Sequence, residues 1–298
     1  NTVKVFRSRA EGQGVETRQD LLYRDEMGYT FGETIVAGQK GNATGGVLIF
    51  LHGLGDTGHG WAGNMDQLRL TDVRFVCPTA PTQPVTLNGG MPMPAWFDLP
   101  QMGPQMFTNI DWKGVEASAG HIHQLIEAEV AKGVPSEKII VGGFSQGGAV
   151  ALRAAMKCKR KLAGVVMLSS FVGPVDDLQP GKIPTTNAQV PLFWGHGDAD
   201  PMVPIMFGKM GADSLTGLGV PVEWKSYNGM GHSSCAQELN DVRTFVEKQL
   251  AKSVPLPSAS EVESMSVKDL KAYLSMKGKN FSGCFEKSEL VNLAKSTL

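Results

Sequence analysis

Ser145 stands in the run Gly143, Phe144, Ser145, Gln146, Gly147, with further glycines at 142 and 148. Two chemistries use such a run. A glycine-rich turn from strand to helix offers backbone N–H groups to a phosphate, or it holds a serine out on a sharp bend as a nucleophile. The phosphate reading needs a lysine and then Ser or Thr after the last glycine. Here Ala149 and Val150 occupy those places. A dinucleotide fingerprint, G-x-G-x-x-G, fails as well, because Phe-Ser-Gln separates Gly143 from Gly147. The pattern G-x-S-x-G is complete. It follows the apolar run KIIV and opens a run of helical period, which is the context a nucleophile turn requires.

A serine hydroxyl is a weak nucleophile near neutral pH and needs a histidine base that is itself oriented by a carboxylate. On this kind of turn the partners follow the serine in the chain, acid before histidine. Of the six histidines, His52 and His59 precede Ser145. His121 and His123 are two apart on a predicted helix and face different ways. His196 ends a predicted strand just before the acid candidates, whereas His232, in NGMGHSSC, lies in a Gly-rich loop between the last predicted strand and a helix. His232 is therefore the best-placed base. The acid is Asp198 or Asp200 in GHGDADP, with Asp176 and Asp177 in reserve, although Asp200 also sits where a carboxylate caps a helix. Acyl transfer further needs donors for a developing oxyanion. The N–H of Gln146 supplies one, and the turn after the early strand GVLIFLHG supplies the other, at Leu54. His52 and Gly53 shape that turn without moving a proton.

The elements that must position these groups are legible as alternation. Short β-branched runs, GETIVAG, GVLIFLHG, VRFVCP, KIIVGG, AGVVMLSS, PLFWGHG and PVEWKSY, alternate with helical periods over Asp111 to Lys132, Ser145 to Lys157 and Asp241 to Leu250. This predicts an α/β fold, a mostly parallel central sheet with helices on both faces and functional groups at the C-terminal ends of the strands. The interval from Pro78 to Pro104 carries too many Pro and Gly for a regular element and reads as a long apolar loop, either binding or pinned to the core. The boundaries expected are an N-terminal extension over 1–31, the α/β unit over 32–252, a Pro/Ser/Ala linker over 253–264 and a small helix-turn-helix module over 265–298.

Composition narrows the function classes. A net charge of -1 with 19% charged residues gives no footprint for nucleic acid or an anionic membrane, and at most peripheral membrane contact is expected. Four scattered cysteines without a CxxC pair argue for reduced thiols and against a metal cluster. No apolar run approaches the ~20 residues of a spanning helix. A cytoplasmic location is expected. The start at Asn1 suggests a trimmed chain, so a targeting peptide upstream is left open.

The motifs LIFLHGLGDTGHGW, CPTAPTQPVTLNGGMPMPAWFD, GGFSQGGA, HGDADPMVP and GMGHSS resemble the acyl-protein thioesterase and carboxylesterase family of α/β-hydrolases, in order and spacing, from about Gly46 to Leu250. The resemblance implies a serine hydrolase acting on long-chain acyl thioesters of proteins, with related activity on lysophospholipids and small esters, and without metal or cofactor. It puts the nucleophile on Ser145, the base on His232 and the acid on Asp200 rather than Asp198. It also implies oxyanion donors at Leu54 and Gln146 and an acyl channel lined by Leu87, Met93, Trp96, Phe97, Met202 and Val203.

The tail departs from that family and resembles the SAP-like helical modules found in certain neurotrophic-factor-like secreted proteins and RING ligases. Related modules often carry C-x-G-C in the turn, and here NFSGC retains only Cys284. From Glu261 onward six lysines face five acids, a balance of +1, which is too little for DNA. A protein partner through this module is the expectation. The rival reading from another class is an idle hydrolase scaffold working through the tail.

Overall fold

The computed structural model describes residues 16–18, 28–38, 45–101, 110–172, 185–252 and 257–298. Its strands are β1 (Glu16–Arg18), β2 (Thr34–Gly38), β3 (Gly46–Leu51), β4 (Val73–Pro78), β5 (Thr82–Val85), β6 (Met91–Pro94), β7 (Ile139–Phe144), β8 (Gly164–Leu168), β9 (Leu192–Gly197) and β10 (Val222–Tyr227). Its helices are α1 (Gly58–Gln67), α2 (Trp112–Ala131), α3 (Gln146–Lys157), α4 (Ile205–Gly217), α5 (Ala236–Leu250), α6 (Ala259–Ser264), α7 (Val267–Met276) and α8 (Lys287–Lys295).

Eight strands form one sheet in the order β1-β2-β4-β3-β7-β8-β9-β10, antiparallel at β1–β2 and β2–β4 and parallel elsewhere. All seven strands read from the sequence are present. Each residue of β3, β4 and β9 is buried, as strands covered on both faces must be. Alternate side chains of β3 divide between two cores. Val47, Ile49 and Leu51 pack toward α2, α3 and α4, while Leu48 and Phe50 pack toward α1 and α5. From β3 the chain goes first to β4 on one side and later to β7 on the other. This reversal puts the loops after β3 and β7 side by side, at the crevice where open α/β sheets bind their ligands.

The helices start where their caps dictate. The Asp111 side chain accepts the Gly114 N–H at 2.9 Å and begins α2 there. Helix α5 starts five residues before the Asp241 expected from the apolar period, because Cys235 takes the cap position and the first turn is largely polar.

The Pro78–Pro104 interval corrects the reading of an irregular loop. Within it β5 and β6 pair antiparallel, with Pro84 opposite Pro92. A two-stranded ribbon has only edges, so prolines without an N–H are tolerated there, and Gly89 and Gly90, at φ 66° and 79°, close the turn. The 253–264 linker is also part helix, since α6 opens on a Ser258–Glu261 capping box and buries Val262 against Leu270, Leu274 and Leu290. The 1–31 extension contributes β1 to the sheet edge.

The C-terminal helices are held to the α/β unit by ion pairs. Arg160 bonds Glu127 and Asp269, both at 2.7 Å, and Lys268 bonds Glu127 at 2.7 Å. Arg160 follows the C-terminal end of α3, so this seam lies at the end of the sheet opposite Ser145.

Glu238, in the first turn of α5, is fully buried, and neither carboxyl oxygen has a hydrogen-bond partner among the described residues. Gly195 makes room for it, since an added Cβ there would meet Oε1 at 2.4 Å. Burial, reinforced by Asp241, pushes its pKa up to about 8. The folded pKa exceeds the unfolded one, so this group's contribution to stability is fully present below about pH 4 and declines as pH rises toward 8. Glu238→Gln is therefore expected to gain ~1–3 kcal/mol at pH 8 and little at pH 4.5. Thermal unfolding at the two pH values checks this.

Candidate active site

Ser145 sits between β7 and α3 at φ 52° and ψ −120°, a conformation non-glycine residues rarely adopt and which functional turns retain. The bend is pinned by its backbone. The Ser145 N–H donates to Leu168 O at 2.8 Å, and Ser145 O accepts the Ser170 hydroxyl at 2.7 Å and the Gly148 N–H at 3.0 Å. The flanking glycines are required by close approach. A Cβ on Gly143 would lie 2.4 Å from the Gly147 carbonyl carbon, and one on Gly147 would lie 2.5 Å from the carbonyl oxygens of both Leu51 and His52.

His232 and Asp200 arrive on the loops after β10 and β9. His232 Nδ1 bonds Asp200 Oδ2 at 2.8 Å, and Asp200 Oδ1 accepts the N–H groups of Met202 at 2.8 Å and Val203 at 2.9 Å. The Asp200 side chain is wholly buried. Burial alone would raise its pKa, but the bond from His232 and the two N–H donors outweigh burial and hold the carboxyl below its usual range. Asp198 points elsewhere and accepts the Gly229 N–H at 2.7 Å. Asp200 is thus the aspartate that meets His232, while Asp176 and Asp177 lie outside the described residues.

Ser145 and His232 share the wall of a cavity of about 470 Å³. Leu54 and Gln146 line it too. The first N–H groups of a helix find no acceptor within it, which leaves that of Gln146 available at the start of α3. The Leu54 N–H, in the turn after β3, likewise makes no backbone hydrogen bond among the described residues. The Gln146 side chain is locked. Its Oε1 accepts the Trp96 N–H at 2.9 Å and its Nε2 donates to Phe97 O at 2.8 Å.

His52 is structural. Its Nε2 accepts the Ala80 N–H at 3.0 Å, so the ring proton is on Nδ1 and is donated to Gly53 O at 2.6 Å. Burial lowers its pKa and keeps it neutral. His196 is buried as well and donates from Nε2 to Val203 O at 2.8 Å, which steadies the acid loop.

Of the expected acyl-channel residues, Leu87, Met202 and Val203 line the cavity. Met93, Trp96 and Phe97 do not. Trp96 and Phe97 are buried against the core, where Trp96 Nε1 donates to His52 O at 2.8 Å, so they brace the site from behind. Met93 faces Asn88, whose amide donates to its sulfur at 3.1 Å. The sequence reading missed Trp61, Asn64, Leu99, Phe144 and Phe171 at the cavity wall. For Phe144 and Trp61 a signal existed, because they lie inside the motifs GFSQG and HGW; in the structure their ring centroids are 5.3 Å apart. Leu99 and Phe171 lie outside any motif and gave none.

Residues 32–250 match the Phospholipase/Carboxylesterase family, and residues 256–297 match an E3 ubiquitin-protein ligase rififylin-like domain. Acyl-protein thioesterase 1 of Gibberella zeae is 44% identical over 211 residues, which span 68% of this chain and 90% of that protein. The Neurospora crassa acyl-protein thioesterase 1 is 41% identical over 215 residues, 69% of this chain and 87% of the relative. Among solved structures, Zea mays acyl-protein thioesterase 2 superposes with a TM-score of 0.66 at 32% identity, covering 74% of this chain and 99% of that one. With the same α/β frame and a family match over residues 32–250, this chain belongs to the phospholipase/carboxylesterase family of α/β-hydrolases.

Proposed function

We propose that this protein hydrolyses acyl thioesters of S-acylated proteins, with Ser145 as nucleophile, His232 as general base and Asp200 as the group orienting the imidazole. The observation that carries the reading is the His232–Asp200 hydrogen bond of 2.8 Å, with its carboxylate fully buried, on a cavity that Ser145, Leu54 and Gln146 also line. His232 Nε2 takes the hydroxyl proton as Ser145 Oγ bonds to the thioester carbonyl carbon, and the N–H groups of Leu54 and Gln146 receive the oxyanion. The C–S bond then breaks and the thiol leaves with the proton from His232. Water, deprotonated by the same imidazole, bonds to the acyl carbon. The Ser145 ester bond breaks, the fatty acid leaves and the serine regains its proton.

The acyl chain lies against Leu87, Leu99, Phe171, Met202 and Val203, and each buried methylene contributes about 0.8 kcal/mol. The test is a competition among an S-palmitoyl peptide, a lysophospholipid and a short aryl ester, scored by kcat/KM. Preference for the S-palmitoyl peptide supports the proposal. Preference for the lysophospholipid or aryl ester replaces it with a lysophospholipase or carboxylesterase, and no turnover of any of the three indicates an idle scaffold.

A further inference from the structure

The cavity around Ser145 has two unlike walls because it lies across the C-terminal ends of the central strands, between the two faces of the sheet. Leu99, Phe171 and Val203 belong to the core on the α2, α3 and α4 face, Leu87 packs against that core, and Met202 extends the same surface outward. Opposite them, Trp61 and Phe144 belong to the core on the α1 and α5 face. Polar groups join this second wall at both ends, Asp56 just before α1 and Asn64 within it, and Ser233 and Ser234 beside His232. The wall is continuous, since the Phe144 ring lies 5.3 Å from Trp61 on one side and 4.7 Å from His232 on the other.

A thioester has two unlike halves, a hydrocarbon acyl group and a cysteine within a polar peptide. The apolar wall accounts for the first half. We propose that the wall from Asp56 to Ser234 receives the peptide half and selects S-acyl cysteines that have a lysine or arginine beside them, with Asp56 recognising the positive charge. This rests on the reading of Ser145 as the acyl acceptor.

Asp56 is the one carboxylate among the described residues lining the cavity. Its Oδ1 accepts the Thr57 N–H at 2.7 Å, while Oδ2 accepts no hydrogen bond among the described residues. The nearby Glu33 is already bonded to His59 at 2.7 Å. Among the described residues no lysine or arginine lines the cavity, so a cationic side chain entering with the leaving group meets the Asp56 carboxylate without a competing cation. Asn64, Ser233 and Ser234 offer neutral donors and acceptors, which suit a peptide backbone of any sequence.

The test uses the full-length chain and three S-octanoyl pentapeptides that differ only in the residue after the acylated cysteine, Lys, Gln or Glu. The wild type is expected to favour Lys over Gln by roughly threefold to fivefold in kcat/KM at low salt, with the advantage vanishing toward 1 M salt. Asp56→Asn should bring the Lys-to-Gln ratio to one, and Asp56→Lys should invert the order so that Glu is preferred. Each ratio is taken within one protein, so loss of folded fraction in a variant cancels. Equal rates on the three peptides in the wild type, or a Lys preference retained by Asp56→Asn, overturn the leaving-group site and leave the thioesterase reading standing. Hydrolysis of an aryl ester without hydrolysis of any of the three peptides overturns both.

Discussion

Ser145→Ala is expected to lower kcat for an S-acyl peptide by on the order of 10⁵-fold or more and to abolish labelling by a fluorophosphonate. The size follows from what is removed. Among the described residues the other serines on the cavity wall, Ser233 and Ser234, share a loop with the base itself, and neither has the positive φ of Ser145. What remains in the variant is the cavity and two N–H donors, which together leave a modest residual acceleration over water. The fold should survive, because the contacts of Ser145 are made by its backbone, to Leu168, Ser170 and Gly148, and alanine keeps all of them. Unchanged circular dichroism and melting temperature, measured alongside the rates, separate lost chemistry from lost structure.

Asp200→Asn is the second large effect, about 10³–10⁴-fold in kcat with KM little changed. The direction is fixed by the hydrogen bonds. The backbone N–H groups of Met202 and Val203 donate to one side-chain oxygen and hold the position of an acceptor there. In the variant the amide oxygen takes that place and the NH₂ turns toward His232. Nδ1 must then accept, the ring proton moves to Nε2, and the nitrogen meant to receive the serine proton is already occupied. Asp198→Asn, which only has to accept the Gly229 N–H, is expected to change kcat less than twofold. A comparable loss in both variants would remove the distinction between the two aspartates.

The chemistry was the most legible part of this sequence, because each of its parts demands particular residue types at particular spacing. The glycines around Ser145 are forced by contacts under 3 Å, and a motif built on steric necessity survives translation into structure. The alternation of strands and helices was equally clear, since buried strands such as VLIFL and LFWGHG leave little choice of period. Choosing Asp200 over Asp198 was beyond spacing alone. Both follow the same strand, and only the fold of the loop turns one toward His232 and the other toward Gly229. Trp96 and Phe97 were misread for a related reason. An aromatic pair after a Pro-rich hairpin reads equally well as channel lining or as a brace, and the hydrogen bonds that settle it, to Gln146 and His52, join residues about fifty positions apart. The β5–β6 ribbon was hidden because proline counts against strands in general, whereas an isolated two-stranded ribbon has little need of the missing donors.

The central claim is that the acyl group passes through Ser145. Rapid acid quenching of the protein during turnover of an S-octanoyl peptide, followed by proteolysis and mass analysis, tests it most directly. The account predicts an octanoyl ester on the fragment that contains Ser145, absent from Ser145→Ala. An acyl group mapped to any other side chain, or the same adduct formed by Ser145→Ala, would contradict it.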